Sequence, residues 1–519
     1  MTAFAPEGMV CAVDHLAAGA GVDMLRHGGS AADAAVAASA VLAVTTQHMC
    51  GLGGDLLAVV VPPAAPPLAL NASGRAGAGA DAARLRAEGF AAMPFRGDIR
   101  SVTVPGCVDG WLALHGRFGR LPLEEVLGPA RRYAEAGFPA TATLVAAVAD
   151  VAHLPGAADY TRDGPLHVGS LVRRPGVARI LAAIGAGGRT AFYEGEFGAG
   201  LLRLGSGEYS AADLARTTGD WVPALGADAW GHRVWTVPPN SQGYLTLAGA
   251  WIASGLDLPV DPDDPRWAHL LIEAARQAGH DRPSMLHEHA DGDALVAPAR
   301  LGPRRAAIDG DRAAPLNGRW GGGGTIALCA VDRDRMGVSL VQSNAAGFGS
   351  HLIVDDVGVF LHNRGIGFSL EAGHPAEYGP GRRPPHTLSP TAVTDASGEL
   401  RGVLGTMGGD SQPQILLQLL ARWLHGGGLP GTAVGAGRWA LSAGASAFDT
   451  WSDPDGQRVL VETTAPRAWV DGLTARGHTV VEVDGRHGAF GHAHLITVES
   501  DHLAGGTDPR PGSGAAAGY

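Results

Sequence analysis

There is no lysine in this chain: all 39 side chains counted as Lys or Arg are Arg. The absence excludes a Schiff-base lysine and a phosphate loop of the Walker type. With so much Ala and Gly beside it, an Arg-only chain reflects GC-rich coding rather than a functional demand. Cysteine is scarce as well. Cys11, Cys50, Cys107 and Cys329 stand far apart and form no CxxC pair, so reduced, buried thiols are expected. A G-x-S-x-G elbow is missing, which argues against an ordinary α/β-hydrolase. HExxH is missing too. The pairs His287/His289 and His492/His494 have neither that spacing nor a clear third ligand, so no metal and no other cofactor is expected. No apolar run is long enough to span a bilayer, and the N-terminus lacks the charged and apolar regions of a signal peptide. A cytoplasmic protein without a membrane partner is expected. The net charge of −12 disfavours a nucleic-acid partner, which needs a basic face.

What is present is a chain of 519 residues, 45% apolar, long enough for two or three ordinary domains and able to bury a large core. Residues 14–27 read as a helix ending at Gly28-Gly29. Ser30 and Asp33 then form an N-cap box for a helix of small residues. The GLGGD stretch, 51–55, precedes a strand over 56–61. The glycines come before the strand, so this is no dinucleotide fingerprint, and both a tight turn and a ligand-facing loop stay open. Arg75 follows a short strand at 68–70 and is a candidate carboxylate clamp. Short helices and polar loops are expected over 150–230, helices over 244–256 and 265–279, and an exposed loop over about 290–320. The tail from Gly505 reads as disordered or as a lid.

The stretch 321–350 carries the strongest chemical signal. Four glycines precede Thr325. Two apolar runs, 326–331 and 338–341, flank the turn Asp332-Arg333-Asp334-Arg335, which is a hairpin signal. With the turn centred on Asp334, Thr325 and Ser343 face each other across the ladder, close enough for their hydroxyls to meet. Further on, Gly408-Gly409 stands between a strand and a helix-like run. Backbone N–H groups there make an anion or oxyanion site, or the glycines simply form a turn.

These pieces, taken in order, resemble the gamma-glutamyltranspeptidase family of N-terminal-nucleophile hydrolases. The resemblance rests on GGSAADAAVA (28–37), GLGGD (51–55), SVTVPGCVDGW (101–111), RRPGVARIL (173–181), AFYEGE (191–196), PPNSQG (238–243), the Thr325 hairpin, HNRGIGFSL (362–370), RPPHTLSPT (383–391) and MGGDSQPQ (407–414). It implies a four-layer αββα sandwich of the α/β (α+β) class. It also implies a precursor that cuts itself between Gly324 and Thr325 into a large subunit, 1–324, and a small one, 325–519. The two form a heterodimer, with further dimerisation left open. Thr325 is the implied nucleophile and its freed α-amino group the base. Ser343 is the second hydroxyl, the N–H groups of Gly408 and Gly409 form the oxyanion hole, and Arg75, His386 and Thr387 contact the substrate.

Three positions depart from the family pattern. Members specific for gamma-glutamyl groups hold the glutamate ammonium with Asn, Gln or Glu, and Asp. Here those positions read Ala345, Arg364 and Gly367, with Asn344 next door. The segment after Phe368 is too short for the usual lid loop. Arg364 favours an anion over an ammonium. Arg364 and Arg75 with no acid beside them form the expected pocket, unless Asp410 or Glu371 reaches in. The expected activity is hydrolysis or transfer of a gamma-glutamyl or related acyl group from a small amide or peptide-like substrate. The alternatives are an amidohydrolase, acylase or C–C hydrolase working on a non-glutamyl substrate, and an uncleaved, inactive scaffold.

Overall fold

The computed structural model describes residues 1–162, 164–314, 326–442, 450–451, 457–485 and 488–519. Two seven-stranded sheets, antiparallel at every pairing, form its centre. The first runs in the order Ala3–Ala5, Leu503–Thr507, Ala493–Val498, Leu400–Thr406, Thr391–Thr394, His232–Thr236, Leu225–Ala229. The second runs Ala515–Gly518, Met9–Ala12, Ile326–Val331, Gly337–Ser343, Asp55–Val61, Leu68–Ala72, Asp220–Pro223.

Strand Asp55–Val61 shows why such runs are apolar without interruption. Leu57, Val59 and Val61 join the core between the sheets, while Leu56, Ala58 and Val60 join the core under the helices. A strand covered on both faces has no solvent side, so the polar half of the period-two pattern disappears. Helices His15–Arg26, Ala31–Thr45, Cys107–Phe118, Leu123–Ala136 and Pro175–Tyr193 cover the second sheet. Helices Tyr244–Ser254, Pro265–Gly279 and Gln412–Leu420 cover the first. The result is the expected αββα sandwich. The expected cap box is also found: Ser30 Oγ accepts from the Asp33 N–H while an Asp33 carboxylate oxygen accepts from the Ser30 N–H. Its small residues let helix Ala31–Thr45 lie buried along its whole length.

The hairpin register matches the expectation. Ile326 pairs with Gln342, Ala327 with Val341 and Leu328 with Leu340. Asp332 fixes the turn, its Oδ1 accepting from the N–H groups of Asp334 and Met336 at 3.0 Å each.

Three expectations need correction. The supposed loop over 290–320 contains helices Gly292–Val296 and Pro298–Ala306. Asp291 caps the first and Pro298 sits in the first turn of the second, where its missing N–H costs nothing. Within 150–230 lie a long helix, Pro175–Tyr193, and the strands Asp220–Pro223 and Leu225–Ala229. The tail is neither disordered nor a lid, because Leu503–Thr507 and Ala515–Gly518 are strands. Gly505 passes close to Met9, whose Sδ would stand 2.2 Å from an added Cβ. Among the described residues no helix is long and apolar enough to cross a membrane.

Candidate active site

Ser343 ends the strand Gly337–Ser343 and pairs in register with Asp55 on the neighbouring strand. Both are buried. Beyond Ser343 the chain turns out of the sheet, with Ala345 at φ 68°. The Ala345 N–H donates back to Ser343 Oγ at 2.8 Å, and Arg364 Nη2 donates to the same oxygen at 3.2 Å. A hydroxyl that accepts twice keeps its own proton to donate.

Arg364 opens the short 3₁₀ turn Arg364–Gly367. Its other amino group, Nη1, donates to Thr387 Oγ1 at 3.1 Å, so one guanidinium bridges two of the expected site hydroxyls. Burial pushes the Arg364 pKa down to about 10, with Asp55 and Asp410 opposing that shift and Arg282 adding to it. The group stays charged at neutral pH.

Asp55 is the counter-charge. Its Oδ1 accepts from the Gly74 N–H at 2.9 Å and its Oδ2 from His386 Nε2 at 3.1 Å. His386 Nδ1 accepts from the Leu388 N–H at 3.3 Å, which assigns the ring proton to Nε2. His362 lies on the other side, its Nδ1 3.7 Å from Asp55 Oδ2. That nitrogen accepts from the Arg364 N–H at 3.1 Å, while Nε2 donates to the Thr103 carbonyl at 2.9 Å. Burial lowers the pKa of His386 to about 3, helped by the Arg364 charge. Burial likewise lowers that of His362. Burial alone would raise the Asp55 carboxyl, but the His386 hydrogen bond and the Arg364 charge hold it well below the ordinary range. Two neutral imidazoles thus flank a carboxylate that stays ionised.

The PPNSQG motif buckles the remaining pieces together. Gln242 Nε2 donates to the carbonyls of both Thr387 and Gly409 at 2.9 Å. Asn240 Nδ2 donates to the Pro384 carbonyl and Ser241 Oγ to that of Leu388, each at 2.6 Å. Gly408 and Gly409 have φ of 133° and 60° at the junction of strand Leu400–Thr406 and helix Gln412–Leu420. Their N–H groups meet no acceptor among the described residues. Asn344 is buried, its Nδ2 donating to the Gln47 carbonyl at 2.9 Å.

Thr325 and Gly324 lie outside the described residues. The structure brings together Ser343, Arg364 and Thr387, and it links His386 to Arg364 through Asp55. Arg75 is engaged elsewhere: it pairs with Glu288, approaches Asp220 at 3.7 Å and donates to the Gly381 carbonyl at 3.0 Å. The pocket of two Arg without an acid is therefore corrected. Arg75 already has carboxylate partners of the protein's own, Asp55 serves Arg364, and Asp410 pairs with Arg282 at 3.4 Å. Asp55, His362 and Arg282 were not singled out from the sequence. Asp55 closes the GLGGD motif and His362 opens HNRGIGF, so a polar residue at the edge of each glycine motif was the available signal. Among the described residues the one group close enough for a metal is His269, Glu273 and His478. There His269 Nδ1 and His478 Nε2 bond each other at 2.8 Å and Glu273 pairs with Arg276 at 2.5 Å.

Two facing antiparallel sheets between helical layers are the αββα arrangement of the N-terminal-nucleophile hydrolases. The chain belongs to the gamma-glutamyltranspeptidase family, whose model matches residues 17–519. It is 35% identical to the oxamate amidohydrolase proenzyme of Klebsiella pneumoniae, covering 99% of this chain and 98% of that protein. It is 34% identical to the glutathione hydrolase-like YwrD proenzyme of Bacillus subtilis, covering 98% of each. The crystal structure of cephalosporin acylase from Bacillus halodurans superposes with a TM-score of 0.91 at 32% identity, over 100% of this chain and 97% of that one.

The neutral His386 makes stability depend on pH. Its folded pKa, about 3, lies below the ordinary 6.5, so the unfolded chain takes up the proton first as pH falls. Stability is full above about pH 6.5 and is lost toward pH 3, at up to about 1.4 kcal/mol per pH unit for this one proton. His386→Gln, which can still donate to Asp55, should flatten the slope of unfolding free energy between pH 6 and 4 by about that amount. Equal slopes in urea titrations of the two proteins would mean that His386 is not held neutral.

Proposed function

We propose that this protein is a self-processing N-terminal threonine amidohydrolase that cleaves a small amide whose acyl group is not gamma-glutamyl. Thr325 Oγ attacks the amide carbonyl, and the free α-amino group of Thr325 takes the proton. The N–H groups of Gly408 and Gly409 hold the oxyanion, and the Ser343 hydroxyl donates to the nucleophile. Departure of the amine leaves an acyl-enzyme, which water hydrolyses. The register that pairs Ile326 with Gln342, the residue before Ser343, is in keeping with these roles. The names of the similar proteins, an oxamate amidohydrolase and acylases, support amide hydrolysis more than glutamyl transfer.

The observation that carries the choice of substrate is the Arg364 bridge between Ser343 and Thr387. A buried cation there repels a substrate ammonium. Gly367 cannot supply the missing acid, because a Cβ at that position would stand 2.5 Å from the Pro385 carbonyl oxygen. Asp410 is already paired with Arg282.

Mass spectrometry of the purified protein should find a new N-terminus at Thr325. The two chains should separate only on denaturing gels, because both sheets interleave strands from 1–324 and 325–519. Thr325→Ala should stay intact and inactive. An active but permanently uncut chain would refute the reading. Ser343→Ala should slow cleavage and turnover by roughly 1–2 kcal/mol, the worth of one hydrogen bond to the nucleophile, and unchanged kinetics would remove Ser343 from the mechanism.

Specificity is tested by kcat/KM on glutaryl and gamma-glutamyl anilides, which differ only in the amino group. The glutaryl compound should be the better substrate. A clear preference for the gamma-glutamyl one would return the protein to glutathione-type chemistry.

A further inference from the structure

Next to the polar cluster lies a cavity of about 570 Å³. It begins where the site ends. Gly367 closes the turn that carries Arg364, Pro385 precedes His386, and Arg282 pairs with Asp410; all three line the cavity. Most of the remaining wall is apolar. Met93, Leu286 and Phe368 are buried in it, whereas Phe95 is 46% exposed, so the chamber reaches the surface there. Much of one side is built by residues 366–376, the segment too short to form the family's lid.

Two features fit this chamber to a ligand. Its volume lies in the range of cavities that enclose drug-sized groups (about 300–1,000 Å³), which combine apolar walls with a few placed polar groups. Arg282 supplies such a group. Its side chain is 10% exposed, lies in the cavity wall and is tied there by Asp410 at 3.4 Å.

We propose that this cavity is an apolar subsite of the active centre, taking an aromatic or branched aliphatic substituent of the amide substrate. Arg282, held by Asp410 in the wall, disfavours a cationic substituent there. The inference rests on the amidohydrolase reading. The substituent belongs either to the acyl group or to the departing amine, and two substrate series tell these apart.

One series varies the acyl group, from acetyl to phenylacetyl and 4-phenylbutyryl, on a constant 4-nitroaniline. The other varies the amine, from methylamine to benzylamine and naphthylmethylamine, on a constant glutaryl group. In one of them kcat/KM should rise roughly tenfold or more with apolar size. Phe95→Ala and Phe368→Ala should each reduce the large members more than the smallest. The half-exposed Phe95 keeps the test valid where loss of Phe368 prevents folding. Turnover indifferent to size in both series, or a preference that the variants leave unchanged, overturns the subsite and leaves the hydrolase reading standing. If no compound is turned over in a Thr325-dependent way, the hydrolase reading fails instead. Calorimetry then decides the cavity: 4-phenylbutyrate must bind more tightly than butyrate and lose that advantage in Phe95→Ala, and equal binding overturns the proposal.

Discussion

A carboxylate at 0% exposure cannot remain charged in a protein interior without partners on every side, and Asp55 is such a group. It takes an N–H from Gly74 and another from His386, and the Arg364 charge balances it. These contacts fix the site. His386 draws in the 383–391 segment and with it Thr387, and Arg364 reaches from Thr387 to Ser343, the register partner of Asp55 itself. Removing the carboxylate would strand a buried guanidinium and a buried imidazole N–H together. The site is therefore one ionic cluster rather than a set of separate contacts.

Neutral histidines make this arrangement possible. Had His362 and His386 been charged, the cluster would carry three cations on one acid. Each imidazole instead offers one donor and one acceptor, and both are used: His386 between Asp55 and Leu388, His362 between Thr103 and Arg364. Burial sets the protonation state, and the hydrogen bonds set the tautomer. The Arg364 charge consequently meets Asp55 as its main opposite rather than another cation.

Much of the fold was legible because its signals are local. The apolar runs at 56–61 and 326–331, the Ser30/Asp33 cap and the Asp332 turn each depend on residues adjacent in sequence, and each was found where expected. Misreadings came where a distant partner decides the structure. The Gly- and Ala-rich tail carries no strand propensity, yet it forms two strands because distant strands, Ala493–Val498 and Met9–Ala12, supply their ladder partners. Site residues divide in the same way. Ser343 and Gly408-Gly409 were proposed from local pattern, Thr387 and His386 from motif resemblance. Asp55 and Arg282 act only through partners far away in the chain, and one sequence offers no way to see that Arg75 spends its charge on Glu288.

The interleaving of strands bears on how a cut chain keeps its site. Strand Ile326–Val331 lies between Met9–Ala12 and Gly337–Ser343, and Ala515–Gly518 closes the same sheet beyond Met9–Ala12. Cutting one peptide bond before this strand removes none of its ladder hydrogen bonds on either side. The apolar cores above and below it likewise draw on both parts of the chain: Leu56 and Leu328 share one, Leu57 and Ala327 the other. The sheets and cores that join 1–324 to 325–519 are thus held without relying on the peptide bond where the cut is proposed. The proposed cut would free one amino group, and the buried cluster of Asp55, Arg364 and Ser343 draws on residues from both sides of it.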